Sequence, residues 1–178
     1  MPDIKPSLEE PESFSKLFDH SHLIIFRYIY GLHGGPQEEV EDLTSETFTR
    51  AWKSRNKFSG DEHDALCWLF TIARNLVIDV HRRRKVHLTE TLDSIDDTFL
   101  DNMFSSTIYS PEDQVSHREQ LTHLWKLLLD QPYDRREMLV MRYMLNWQIK
   151  EIAKFLEMEE NTVSVYIRRT LEQIRQNW

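Results

Sequence analysis

The chain has 178 residues, 40% of them hydrophobic and 29% charged, a globular balance sized for one domain or two small ones and unlike that of a disordered chain. Its one cysteine, Cys67, excludes an intrachain disulfide, and no apolar run approaches the ~20 residues of a membrane span. The net charge of −8 argues against nucleic acid until its distribution is read: residues 86–115 hold seven acids and no Lys or Arg, whereas residues 74–85 hold Arg74, Arg82, Arg83, Arg84 and Lys85 against the single Asp79.

The N-terminus, residues 1–11, lacks the basic and apolar regions of a signal peptide, so the expectation is a cytoplasmic protein without membrane insertion. Few glycines and long periodic segments predict an all-α fold. A first helix is predicted over 12–32, with Phe14, Leu17, Phe18, Ile25, Tyr28 and Ile29 at helical spacing. His33-Gly-Gly-Pro36 ends it, and a second helix runs to about Lys57, burying Val40, Leu43, Phe48 and Trp52 in part. Phe58–Asp64 reads as a polar loop. A third helix is predicted from Ala65 to Arg84 on the stripe Leu66, Leu69, Ile72, Ala73, Leu76 and Val80, ending in the basic cluster. Arg74, Asn75, Asp79, Arg82 and Arg83 share this helix; arginine binds phosphate and asparagine can pair with a base edge. Trp68 is expected to be mainly core, although Trp68 and Phe70 also offer flat faces of the kind that stack unpaired bases.

Residues 87–110 read as a flexible acidic linker, in which Leu88, Leu92, Ile95, Phe99 and Met103 mark a transient amphipathic stretch. Ser110-Pro-Glu-Asp113 is a helix start, opening a second helical domain over 111–178 with helices near 112–130, 134–145, 148–156 and 160–176. The last two make a helix-turn-helix pattern whose shared core is Ile152, Ala153, Leu156, Met158, Val163, Ile167 and Leu171. Its second helix would present Asn161, Thr162, Ser164, Val165, Tyr166, Arg168 and Arg169 to DNA, early residues to bases and arginines to phosphates. No glycine-rich phosphate loop, nucleophile elbow or cysteine pair occurs, and His20 and His22 lie two apart on a helix, facing different ways. The expectation is a protein that is not an enzyme and holds no metal or cofactor.

Asp42-Leu-Thr-Ser-Glu-Thr-Phe-Thr-Arg-Ala-Trp52, Trp68–Asp79 with Arg82–Lys85, and Leu127–Arg175 together resemble the sigma-70 family of RNA polymerase initiation factors, of the extracytoplasmic-function (group IV) type. The resemblance covers about 85% of the chain and implies two helical domains: region 2 over 12–86 and region 4 over 111–178. It implies a sigma factor that binds core RNA polymerase and promoter DNA. Core binding would fall to Asp42, Leu43, Ser45, Glu46, Thr47, Phe48 and Trp52. Reading and melting of the −10 element would fall to Phe58, Ser59, Gly60, Asp61, Arg74, Asn75, Asp79, Arg82 and Arg83, and −35 reading to the helix-turn-helix residues above. An anti-sigma factor is a further implied partner. In the family the linker threads through polymerase channels, so neutralising Asp93, Asp96, Asp97 and Asp101 is expected to alter abortive synthesis. Departures from the family pattern are Glu157 where its turn usually has Gly, which predicts a different turn geometry, and Ser164 and Tyr166 where Lys and Arg are common. With the chain ending at Trp178, the expectation is that no regulatory domain follows. The competing reading is a stand-alone helix-turn-helix regulator, which would need to dimerise for specificity and would leave the Asp42–Trp52 helix without a role.

Overall fold

The computed structural model describes residues 8–86 and 111–178, which are helical and fall into two compact units. The linker stretch, the Ser110 cap and the aspartates of the abortive-synthesis expectation lie outside the described residues.

The first unit contains α1 (Pro11–His33), α2 (Gln37–Ser54) and α3 (Glu62–Val86). α1 buries Phe14, Leu17, Ile25, Tyr28, Ile29 and Leu32, a stripe that recurs every three or four residues and packs chiefly against α3. At its centre the Tyr28 ring meets Phe70 edge-on at 4.8 Å. Phe70 is therefore core; the stacking face that its sequence position suggested does not exist. α1 stops at Gly34, whose φ of 66° is a left-handed conformation that side chains resist. α2 turns Val40, Thr44, Thr47, Phe48 and Ala51 inward. The two buried threonine hydroxyls donate back to the carbonyls of Val40 (2.7 Å) and Leu43 (2.8 Å), so neither costs an unpaired polar group.

α2 tightens at its end into a 3₁₀ turn, Arg55–Lys57, before Phe58 becomes extended. α3 then begins three residues earlier than the sequence predicts. The Asp64 N–H donates to the Asp61 carboxylate at 2.8 Å, and the Asp61 N–H donates to the Asp64 carboxylate at 3.2 Å. This reciprocal cap draws Glu62–Asp64 out of the expected loop and into the helix. The buried face of α3 is Ala65, Leu69, Phe70, Ala73, Leu76 and Val77; Leu66, Ile72 and Val80 of the expected stripe are only half-buried.

The second unit contains α4 (Pro111–Leu129), α5 (Tyr133–Leu139), a π-helical stretch (Val140–Met144), α6 (Ile149–Leu156) and α7 (Glu160–Gln176). Trp125, Met138, Leu139, Val140, Met141, Ile152, Val163, Ile167 and Ile174 form its core. The π stretch is marked by Leu145 N–H donating to the Val140 carbonyl five residues back. Arg136 clamps the α4–α5 turn, its guanidinium donating to the carbonyls of Leu129 and Gln131. Burial pulls this guanidinium below the usual arginine pKa, while Tyr133 and Asp130 act in the opposite direction.

Candidate functional site

On α2, Asp42 and Ser45 are exposed, Glu46 and Leu43 are half-exposed, and Trp52 keeps 37% of its surface in solvent. These form one face with Arg50, whose Nε donates to the Glu46 carboxylate at 2.7 Å. That hydrogen bond holds the Glu46 carboxyl below its ordinary pKa. Thr47 and Phe48, which the resemblance names with these as polymerase contacts, are buried; partial burial was expected of Phe48. The Phe48 ring lies edge-on to Phe18 at 4.7 Å, which fixes α2 to α1. Trp52 is braced from both sides: Phe14 meets it edge-on at 5.1 Å, and the Arg55 guanidinium lies 3.6 Å from its ring centre.

The loop before α3 brings aromatic and polar groups together. The Phe58 N–H donates to the Arg55 carbonyl at 3.1 Å, and the Phe58 ring stacks on Trp68 at 5.1 Å with the planes 28° apart. Trp68 is half-buried, and was expected to be mainly core; its ring is shared between the bundle and this surface stack. Ser59 and Asp61 are exposed, while Gly60 is buried. A Cβ on Gly60 would lie 2.6 Å from the Asp64 Cβ, 2.8 Å from its carboxylate and 3.0 Å from the Phe58 ring, so the close pass of loop against cap requires glycine.

Residues at 3.6 per turn place Trp68, Thr71, Asn75 and Arg82 along one stripe of α3. Thr71, Asn75, Arg82 and Arg83 are exposed; Arg74 and Asp79 are half-buried. The stripe runs from an aromatic stack, through a side-chain amide, to Arg82, with the exposed Arg83 beside it: a stacking platform, a group that can pair with a base edge, and a phosphate contact in order. Thr71 was missed in the sequence although it lies four residues before Asn75, the spacing that shares a face.

In the second unit, α6 starts with the Gln148 N–H on the Glu151 carboxylate at 2.6 Å. It ends at Glu157, whose φ of 54° and ψ of 45° are left-handed, with the Met158 N–H donating to the Ala153 carbonyl at 2.9 Å. The expectation of a different turn is corrected: the backbone takes the shape glycine favours, and a glutamate bears it. α7 buries Val163, Ile167, Thr170 and Ile174. Leu171, placed in the core by its spacing, is 37% exposed; Ile174 and Thr170 take that place. Asn161, Ser164, Arg168 and Arg169 are exposed, whereas Thr162, Val165 and Tyr166 are half-buried. Tyr166 faces α5, its ring 5.8 Å from the Arg135 guanidinium, which also donates to the Gln173 side chain at 3.0 Å. The outward surface of α7 is thus narrower than its sequence suggests and carries its positive charge on Arg168 and Arg169.

Comparison with known proteins gives this arrangement its context. The family profile "Sigma-70 region 2" matches residues 17–86, and "Sigma-70, region 4" matches residues 127–174. The ECF RNA polymerase sigma factor SigM of Bacillus subtilis is 33% identical over 130 residues, 72% of this chain and 74% of SigM. BldN, an ECF sigma factor of Streptomyces coelicolor, is 30% identical over 154 residues, 86% of this chain but only 56% of that longer relative. Two solved structures share the fold at low identity: RpoE of Bartonella quintana, determined with the anti-sigma factor NepR (TM-score 0.68, 16% identity, 93% of this chain and 96% of that one), and CnrH, determined with the cytosolic domain of CnrY (TM-score 0.65, 17% identity, 94% and 88%). Among the described residues no helix is long and apolar enough to cross a membrane. The chain belongs to the ECF group of sigma-70 family RNA polymerase sigma factors, regulatory proteins that direct RNA polymerase to promoters.

Proposed function

We propose that the two units divide promoter recognition between them, residues 12–86 serving as the −10 module and 111–178 as the −35 module. The exposed face of α2, with Asp42, Ser45, Glu46 and Trp52, docks on core RNA polymerase, and Thr47 and Phe48 hold that face rigid from below. The Phe58–Asp61 loop and the α3 stripe read the −10 element. Phe58 on Trp68 forms one wall for an unstacked base, Asn75 pairs with its edge, and Arg82 and Arg83 hold the backbone. Extruding a base costs a few kcal/mol, an expense that stacking at ~1–3 kcal/mol and polymerase together offset. α7 enters the major groove of the −35 element with Asn161 and Ser164 leading and Arg168 and Arg169 on phosphates. The observation that carries this reading is the shared stripe of Trp68, Thr71, Asn75 and Arg82 beside the Phe58 loop.

The protein acts in the cytoplasm, where its polymerase is, and an anti-sigma factor holds it inactive. Leu124, Tyr143, Leu171 and Trp178, large apolar side chains exposed on the second unit, suit such an inhibitor, and the RpoE relative of similar fold was solved with one. The test is run-off transcription with cognate core polymerase on fragmented genomic DNA. Discrete new transcripts sharing two upstream elements support the reading. Absence of both transcripts and core binding would sink it in favour of a stand-alone regulator.

A further inference from the structure

The 3₁₀ turn after α2 holds a residue for which the promoter-reading scheme has no place. Arg55 makes four contacts in three directions. Its guanidinium covers the Trp52 ring at 3.6 Å and its Nη1 donates to the Trp52 carbonyl at 2.8 Å. Its Nε donates to the Glu9 carbonyl at 3.3 Å, 46 residues back in the chain. Its own carbonyl accepts the Phe58 N–H, the bond that starts the base-reading loop. The segment before α1 converges on the same loop. Leu8 lies outside any helix yet is 5% exposed, in a crevice shared with Leu17, Phe58, Asp61 and Ala65. This segment is tied to α1 in turn through the Phe14 N–H on the Glu10 carbonyl.

We infer that Arg55 is a positioning residue for promoter reading, fastening the Phe58 loop to the polymerase-facing Trp52, with the Leu8–Glu10 segment strapped across the joint. The inference rests on the division of roles proposed above. A short loop at a surface has few contacts to hold its aromatic side chain, and a recognition group misplaced by about 1 Å forfeits much of its effect. Here one planar, permanently charged side chain spans the docking residue and the strap through its head group, while its backbone anchors the loop. The base-reading loop is thereby held at a fixed offset from the surface that meets polymerase. The strap, seven residues or more from the nearest profile match to region 2 at residue 17, becomes part of the reading apparatus.

The experiment uses holoenzyme assembled from core polymerase and the full chain. It measures affinity for a single-stranded non-template oligonucleotide bearing the −10 element of a promoter that the wild-type holoenzyme transcribes, and for a scrambled one. Arg55→Ala is expected to bind core within about threefold of wild type and to lose discrimination between the two strands by about tenfold. Arg55→Lys, which keeps a cation over Trp52, restores part of it, and Leu8→Ala loses discrimination without touching Arg55. A merely structural role weakens both strands alike and leaves their ratio unchanged, so an unchanged ratio in folded Arg55→Ala overturns the inference. Should Arg55→Ala not fold, a wild-type ratio in Leu8→Ala overturns it instead. A wild-type holoenzyme that does not discriminate removes the promoter-reading scheme itself, and this inference with it.

Discussion

The two units turn into α3 and α7, the helices proposed to read DNA, by opposite means. In the first, the chain approaches α3 through Gly60 and a pair of mutually capping aspartates, so that loop, cap and aromatic stack share one tight contact. In the second, it approaches α7 through Glu157, which holds a left-handed backbone without the glycine that would relieve it. The surface proposed for the first unit is assembled from several elements that must fit; the one proposed for the second is a single helix laid on a scaffold that already fits. The comparison teaches where each unit is vulnerable. A small change near α3 is expected to damage both stability and reading, whereas a change in the turn before α7 is expected to leave its reading surface intact.

The largest effect is expected at Asn75, where the α3 surface depends on one side-chain amide. Asn75→Ala leaves core affinity unchanged and lowers open-complex formation by tenfold or more, since a good base-edge pair is worth about 1–3 kcal/mol. Stopped-flow detection of melting, with core binding measured separately, checks both halves. Equal losses in core affinity and melting would place Asn75 in the docking surface instead.

Next is Gly60→Ala. The added Cβ meets the Asp64 Cβ at 2.6 Å, an atom fixed to the α3 backbone rather than the far end of a flexible side chain. The cap opens or the loop lifts, at a cost of about 1–3 kcal/mol in denaturant unfolding, the range for forcing an extra methyl into a packed contact. Asp64→Ala, which removes one of the two cap bonds and keeps the residue-64 N–H on the Asp61 carboxylate, costs less than the about 1 kcal/mol of losing an N-cap side chain. If Gly60→Ala proves no worse than Asp64→Ala, the contact with Phe58 contributes nothing and the first unit is no more tightly fitted than the second.

The α7 surface is expected to respond in a different currency. Arg168→Ala and Arg169→Ala each weaken duplex binding almost uniformly across sequences and reduce the slope of log affinity against log salt by about 1. Binding of −35 duplexes across a salt series measures this; a change in sequence preference without a change in slope would assign these arginines to bases.

The same contrast explains what was legible in the sequence. Element order and helix type were, because a stripe such as Phe14, Leu17, Ile25, Tyr28 and Ile29 repeats at 3.6 residues whatever it packs against. The rotation of each helix was not. α3 carries apolar residues around much of its circumference, so spacing alone could not decide between Phe70 inside and Phe70 outside. Thr47 was named a polymerase contact by the family resemblance alone, yet it is buried with its hydroxyl on the Leu43 carbonyl, which no spacing argument announced. The π-helical stretch at Val140–Met144 leaves no periodic trace, and the start of α3 was hidden because its cap uses Asp at both ends where the familiar pattern has Glu or Gln at the second. The proposed α3 site could be written from the sequence as a list, Arg74, Asn75, Asp79 and Arg82, but not as a surface. Its loop side, in the inference above, depends on Arg55, bonded to Phe58, and on the Leu8–Glu10 segment, whose contacts with Arg55 and with the Phe58 crevice are distant in sequence.

The smallest effect sharpens the comparison most. Glu157→Gly removes a Cβ from a left-handed position, relieving roughly 1–2 kcal/mol of steric cost. Glycine also loses more chain freedom on folding, which returns roughly 0.5–1 kcal/mol. The difference leaves the second unit more stable by about 0.5–1 kcal/mol, with the turn unchanged because the Met158 N–H still reaches the Ala153 carbonyl. Denaturant unfolding gives the sign. The Glu157 side chain is exposed and precedes the reading helix, so removing its negative charge also raises affinity for duplex DNA slightly, and that gain shrinks as salt rises. A stabilised protein with unchanged reading specificity would show that the second unit tolerates backbone strain at its turn because nothing else is built on it. A destabilised one would mean that Glu157 makes a contact worth more than its strain, and that the two units are fitted alike.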